Sequence, residues 1–149
     1  MIFLGSDHGG FDLKESIRFY LNSQKIMYED LGVYNKNISN YSEISELVAK
    51  KTVRFNAIGI LCCGSGIGVC IAANKIKGAR AVLCSNIKYA EISRQHNNAN
   101  IICLGGRFTL ADEAIKMVKI FISTEFEGGR HIARLEYVTK IEENLNNYV

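Results

Sequence analysis

Short apolar runs alternate with amphipathic segments from one end of this chain to the other. Residues 2–6, 25–31, 57–62, 79–84 and 100–104 read as strands, the second weaker than the rest. Between them the apolar residues return to helical spacing. Leu13, Ile17, Tyr20 and Leu21 mark one helix, and 41–55 places Ile44, Leu47 and Val48 on one face of a second. Residues 69–76 and 86–95 read as two more. Residues 109–123 form a long helix with Ala111, Ile115, Val118 and Ile122 toward the core, and a last helix covers 130–146. Strands that are apolar throughout need cover on both faces, and helical crossovers supply it. The pattern therefore predicts an α/β fold with a parallel sheet.

A chain of 149 residues fits one domain with a full core, so residues 1–149 are read as a single domain. No apolar run approaches the roughly 18 residues of a membrane span. The N-terminus lacks the basic start and apolar core of a signal peptide, which predicts a cytoplasmic protein without a membrane partner. The net charge of +3 comes from scattered Lys and Arg and gives no footing for nucleic acid. The five cysteines, Cys62, Cys63, Cys70, Cys84 and Cys103, contain no CxxC pair. That argues against a disulfide framework and a metal site, and four of them read as small buried hydrophobes. Proline is absent, so glycine carries the punctuation. The polar, Asn-rich stretch 34–40 reads as a mobile loop.

In a parallel sheet, ligands bind beyond the strand C-termini, near the point where the winding reverses. Three loops qualify: Ser6-Asp7-His8-Gly9-Gly10, Cys63-Gly64-Ser65-Gly66-Ile67-Gly68, and Gly105-Gly106-Arg107. The second joins a strong strand to a helix and sets a thiol beside a bed of backbone N–H groups. Its G-x-G-x-G spacing is not the dinucleotide G-x-G-x-x-G, and the next strand ends Cys84-Ser85 rather than in an acid. No Gly-Lys-Ser/Thr is present for a P-loop. A C-x5-R phosphatase needs arginine where Val69 stands. A small phosphorylated or enolisable ligand remains, alongside a plain strand–helix turn with buried thiols.

Cys63 adjoins the loop and a helix N-terminus, which makes it a candidate base or nucleophile. Cys62 must point to the other side of its strand and reads as core. Asp7 is either a functional acid or a helix N-cap. His96 and Asn97 end a helix, where histidine and asparagine also serve as caps. Arg130 and Arg134 share a helix face and could clamp a phosphate or form a solvated basic face. Arg107 is a third such candidate.

Taken together, Gly5-Ser6-Asp7-His8-Gly9-Gly10, the Cys63–Gly68 loop, Ala72-Ala73-Asn74-Lys75, Arg94-Gln95-His96-Asn97-Asn98-Ala99-Asn100 and Glu127-Gly128-Gly129-Arg130-His131 resemble the B-type ribose-5-phosphate isomerases, a family that includes related hexose-6-phosphate isomerases. The resemblance runs nearly end to end. It implies a Rossmann-like three-layer α/β/α sandwich with a five-stranded parallel sheet and a C-terminal helix. It implies interconversion of D-ribose 5-phosphate and D-ribulose 5-phosphate through an enediolate, a step of the pentose phosphate pathway, without metal or organic cofactor. It implies a homodimer or homotetramer with active sites between subunits.

By this resemblance Cys63 moves the proton between C1 and C2. Gly64, Ser65, Gly66, Ile67 and Gly68 hold the enediolate oxygens through their N–H groups. Asp7 and His96 open the sugar ring, Asn97 binds sugar oxygens and Tyr41 lines the sugar pocket. His8, Arg107, Arg130 and Arg134 hold the phosphate. Family members without the cysteine carry a glutamate four residues on; here that position is Ile67. An allose or galactose 6-phosphate isomerase, and a non-catalytic sugar-phosphate-binding module, are the alternatives.

Overall fold

The computed structural model describes residues 1–144. Five parallel strands, β1 (Ile2–Ser6), β2 (Tyr28–Asp30), β3 (Ile58–Cys63), β4 (Ala81–Leu83) and β5 (Ile101–Gly105), form one sheet in the order β2-β1-β3-β5-β4. Six helices connect and flank them: α1 (Phe11–Ser23), α2 (Tyr41–Arg54), α3 (Ile67–Ala73), α4 (Ile87–Asn97), α5 (Ala111–Ser123) and α6 (Arg130–Asn144). The expected end of the last helix at residue 146 lies outside the described residues.

The central strands bury both faces, as their apolar sequences require. Phe3, Leu61, Cys63, Ile101 and Cys103 point into one core, with Val48, Ala49, Val69 and Ala73 from α2 and α3. Leu4, Ile60, Cys62, Ile102 and Leu104 point into the other, with residues of α1, α4 and α5. This is the three-layer α/β/α arrangement. Cys62 and Cys63 therefore serve opposite cores, as adjacent strand residues must. Helix α6 stands outside both layers, against α4. No helix among the described residues is long and apolar enough to cross a membrane.

Regular elements are shorter than the apolar runs. β2 has three residues of the expected 25–31, and β4 three of 79–84. Both are edge strands with one neighbour each, and beyond Asp30 the chain still bonds to β1 through Leu31, Gly32 and Val33. One helix face also differs. In α5 the buried residues are Ala114, Met117, Val118 and Phe121; of the expected face Val118 is buried, and Ala111 and Ile122 are partly buried against the same core. Helix α5 packs on α1 and α4 together, and that wedge selects the Met117–Phe121 stripe.

The face of α5 can be checked by urea denaturation. Phe121→Ala should cost about 3–5 kcal/mol, the usual cost of truncating a buried aromatic. Ile115→Ala, outside the stripe, should cost less than half as much.

Candidate functional site

Winding out from β1 goes one way to β2 and the other way to β3, so the reversal lies between β1 and β3. The loops that leave these two strands, with the one leaving β5, enclose a cleft of about 270 Å³. Asp7, His8, Tyr41, Cys63, Gly64, Ser65, Gly68 and Arg107 line it. Gly66 and Ile67 complete the same loop.

Cys63 closes the floor. It is the last residue of β3 and only 4% exposed. The Gly66 N–H donates to its Sγ at 3.0 Å. That contact needs the chain to double back within three residues, and Gly66 does so with φ of 78°, in the left-handed region that glycine enters at no steric cost. A backbone donor on the sulfur is the arrangement a thiolate needs. The neighbouring Cys62 is fully buried, and desolvation drives its thiol far up, out of reach of proton chemistry.

Asp7 takes the cap role that the sequence offers, and it also borders the cleft. Its Oδ1 accepts from Gly10 N at 3.0 Å and caps the turn His8–Gly10. His8 is held from behind. Its backbone N–H donates to Ser39 Oγ at 3.0 Å, and Ser39 N–H donates to His8 Nδ1 at 3.3 Å. With Nδ1 an acceptor, the neutral ring carries its hydrogen on Nε2, a donor for an anion. Ser39 was not among the sequence candidates. It lies in the irregular 34–40 stretch, 31 positions from its partner, and no local pattern marks such a contact. Lys36 ties the same stretch to Asp12 at 2.8 Å. The Tyr41 ring lies on Gly68, whose missing Cβ would stand 2.9 Å from it. Arg107 N donates to Gly64 O at 3.0 Å, and its guanidinium passes beside Gly64.

The remaining candidates form a second group. His96 and Asn97 end α4, and Arg130 and Arg134 open α6. Glu127 N donates to Gln95 O at 3.0 Å and anchors the 124–129 segment to α4. The His96 ring stacks on His131, centroids 4.4 Å apart and planes 11° apart. Glu127 Oε2 stands 3.9 Å from His96 Nε2 and 4.0 Å from His131 Nε2. Burial, with the charges of His96, Arg130 and Arg134, pushes the His131 imidazole's pKa down.

The two groups lie at opposite ends of the sheet. Helix α4 leaves the C-terminal end of β4 and returns to the start of β5, a run of about 16 Å for eleven residues. Its last turn borders a hollow of about 480 Å³ together with Met1, Ile58 and Asn100, which precede or begin strands. Cys63 ends a strand. Within one subunit, Asp7 and Cys63 cannot share a small ligand with His96, Asn97, Arg130 and Arg134.

The chain was compared with known proteins. A family model described as Ribose/Galactose Isomerase matches residues 2–138. A protein of Mycoplasma genitalium named probable ribose-5-phosphate isomerase B is 43% identical over 145 residues, covering 95% of each chain. The Escherichia coli ribose-5-phosphate isomerase B is 38% identical, covering 97% of this chain and 98% of its own. Among solved structures, the Clostridium thermocellum ribose-5-phosphate isomerase B superposes with a TM-score of 0.94 at 38% identity, over 96% of this chain and 97% of that one. The Mycoplasma genitalium enzyme with bound ribulose-5-phosphate gives 0.91 at 42% identity, over 95% of each.

The thiols away from the cleft differ in one respect from the buried set the sequence predicts. Cys70, on α3, is half-buried. As a thiol it donates to Ala81 O at 3.4 Å; as a thiolate it accepts from the Cys103 thiol, which brings its pKa down to about 7. Burial pushes Cys84 up to about 12 and raises Cys103 well above the usual range. Alkylation of the native protein, read by peptide mass, should therefore label Cys70 at a rate that climbs with pH until about 7 and then levels. Cys62, Cys84 and Cys103 should label only after unfolding.

Proposed function

The chain belongs to the ribose/galactose isomerase family, and on that footing we propose that it interconverts D-ribose 5-phosphate and D-ribulose 5-phosphate, with Cys63 as the proton carrier. The observation that carries this reading is the Cys63 thiol at the cleft floor, with the Gly66 N–H on its sulfur and Asp7 and His8 beside it. The family match covers residues 2–138, and the Escherichia coli and Mycoplasma genitalium relatives carry this activity in their names. As an enzyme of water-soluble sugar phosphates, it is placed in the cytoplasm.

The chemistry follows from the groups present. Ring opening moves one proton from the anomeric hydroxyl and one onto the ring oxygen; Asp7 and His96 share these transfers. Cys63 thiolate then takes the proton from C2 of the open aldose. The electron pair forms an enediolate, whose developing oxygen charge meets the N–H groups of the Gly64–Gly68 loop. The Cys63 thiol returns the proton to C1 while a proton passes from O2 to O1, and the ketose results. His8 and Arg107 hold phosphate from one side, Arg130 and Arg134 from the other. Binding at this non-reacting end fixes the carbons over the sulfur. Tyr41, lying over Gly68, walls the sugar, and Asn97 binds its hydroxyls.

This division of labour requires two chains. The cleft of one subunit must receive the α4–α6 end of another, and by two-fold symmetry the exchange is mutual. Surface composition supports it. Around the cleft, Phe108 is 82%, Leu110 77%, Ile71 58% and Ile67 52% exposed in the isolated chain. On α6, Tyr137, Ile132 and Ile141 are likewise exposed. A single chain with that much apolar surface flanking its site has an interface to cover. We therefore assign a homodimer, or a homotetramer built from it, with each active site completed by a partner.

Three measurements test the proposal. Cys63→Ala should lower turnover of ribose 5-phosphate by about 10² to 10⁴, the scale of a lost general base; near-wild-type turnover would remove Cys63 from the role. Ser39→Ala should raise KM several-fold with kcat little changed, since it loosens only the phosphate-binding His8. Cys63→Ala and His96→Ala, each inactive, should regain about one quarter of wild-type activity when mixed and exchanged at equal concentration, because a two-fold mixed dimer keeps one intact site. No recovery in a verified mixed dimer would show that both residues serve the same subunit's site.

A further inference from the structure

His96, Glu127 and His131 are the cluster of described residues that brings three metal-ligating side chains together. Their ligand atoms all lie within 4.8 Å of one another. The Glu127 carboxylate faces both Nε2 atoms, at 3.9 and 4.0 Å, and neither contact reaches hydrogen-bond distance. The His131 side chain is only 6% exposed, and its Nε2 faces this carboxylate oxygen.

Two imidazoles and a carboxylate are the donor set of many zinc sites with an open fourth position. Ligand atoms on a tetrahedral zinc stand about 3.4 Å apart, given bonds of roughly 2.1 Å. The three atoms here lie wider than that, at 3.9 and 4.0 Å from the carboxylate oxygen to the nitrogens and within 4.8 Å overall. The fixed member is His131, held by burial. His96 is 39% and Glu127 51% exposed, so both can move. The rings are nearly parallel, 11° apart, and each Nε2 stands about 4 Å from the same carboxylate oxygen. Rotating the His96 ring toward Glu127 turns that parallel pair into convergent ligands. Softer thiolate ligands are not part of the cluster, and the nitrogen-rich set favours zinc, nickel or copper over calcium or magnesium.

We propose that His96 Nε2, His131 Nε2 and Glu127 Oε2 form a binding site for a divalent transition metal of the zinc class. The metal takes the nitrogen that the isomerase reaction uses, so its binding inhibits the enzyme. That consequence rests on the role given to His96 under the proposed function; metal binding itself does not. The site is inhibitory rather than catalytic, because the ring opening assigned to His96 needs the same lone pair free.

The test titrates the metal-free, full-length protein with zinc chloride by calorimetry and follows cobalt(II) absorption in parallel. Wild type should bind one ion per chain and lose activity in proportion. The cobalt complex should show a visible band without sulfur-to-metal charge transfer. Glu127→Gln, an exposed substitution that leaves the fold and basal turnover unchanged, should weaken binding at least about tenfold and relieve inhibition equally, since even outer-shell changes cost that much. His131→Asn should do the same. Cys63→Ser separates the obvious competitor, and metal affinity should survive it. Unchanged affinity in Glu127→Gln and His131→Asn, or affinity lost with Cys63→Ser alone, would overturn the site. Zinc that binds as described without slowing turnover would leave the metal site standing and remove His96 from the reaction.

Discussion

The candidate site depends on how closely the first two strand-end loops approach. Gly10 lies so near β3 that a Cβ there would fall 2.3 Å from the Cys62 carbonyl carbon and 2.6 Å from Cys63 N. No side chain fits between these two backbones. The contact fixes the loop carrying Asp7 and His8 against the strand that ends in Cys63. From the other flank, Gly106 N donates to Cys63 O at 2.8 Å and Arg107 N donates to Gly64 O at 3.0 Å. Cys63 is thus held on both sides by main chain. Its sulfur position is set by the sheet rather than by a mobile loop, which is what a proton carrier needs when small displacements cost large factors in rate.

The other half of the chemistry is mounted differently. His96 and Asn97 sit at a helix end and Arg130 and Arg134 at a helix start, all within reach of the stacked His96–His131 pair. Helix α6 contributes little to either core; it rests on α4 and is tethered at its far end by Glu142, whose carboxylate accepts from Gly78 N. A rigid half on the sheet and a second half on the end of α4 and the peripheral α6 suit the site proposed between subunits.

Much of this was legible in the sequence for a physical reason. Burial on both faces leaves no polar alternation in β1, β3 and β5, so the parallel sheet and its two cores could be read directly. The opposite orientations of Cys62 and Cys63 follow from strand geometry, and the glycine loops mark where the backbones meet. The face of α5 was not legible. Its sequence carries apolar residues at 114, 115, 117, 118, 120, 121 and 122, enough for two overlapping stripes, and only packing on α1 and α4 chooses between them. The His8–Ser39 pair and the His96–His131 stack join residues 31 and 35 positions apart. No periodicity encodes such contacts. The separation of His96 from Cys63 was hidden for a related reason: motifs give residue types in order along the chain, whereas the direction of α4 decides which end of the sheet each reaches.

In the proposed assembly, charge makes the junction of the two halves a place for an anion. His8 and Arg107 present positive or donor groups at the cleft, and Arg130 and Arg134 do so at the α4–α6 end. Bringing these surfaces together concentrates cations that repel in the absence of an anion, by about 4 kcal/mol for an unscreened pair 4 Å apart near a protein surface. In the site as proposed, a phosphate dianion would remove that cost by contacting both sides at once. Asp7 and Glu127 are the acids at the two ends, and each already faces a local donor or imidazole pair. The phosphate then acts as more than a handle for orientation. It would close a charge gap between the two chains of the proposed dimer, making the completed site most stable when the reactive carbons are already positioned over Cys63.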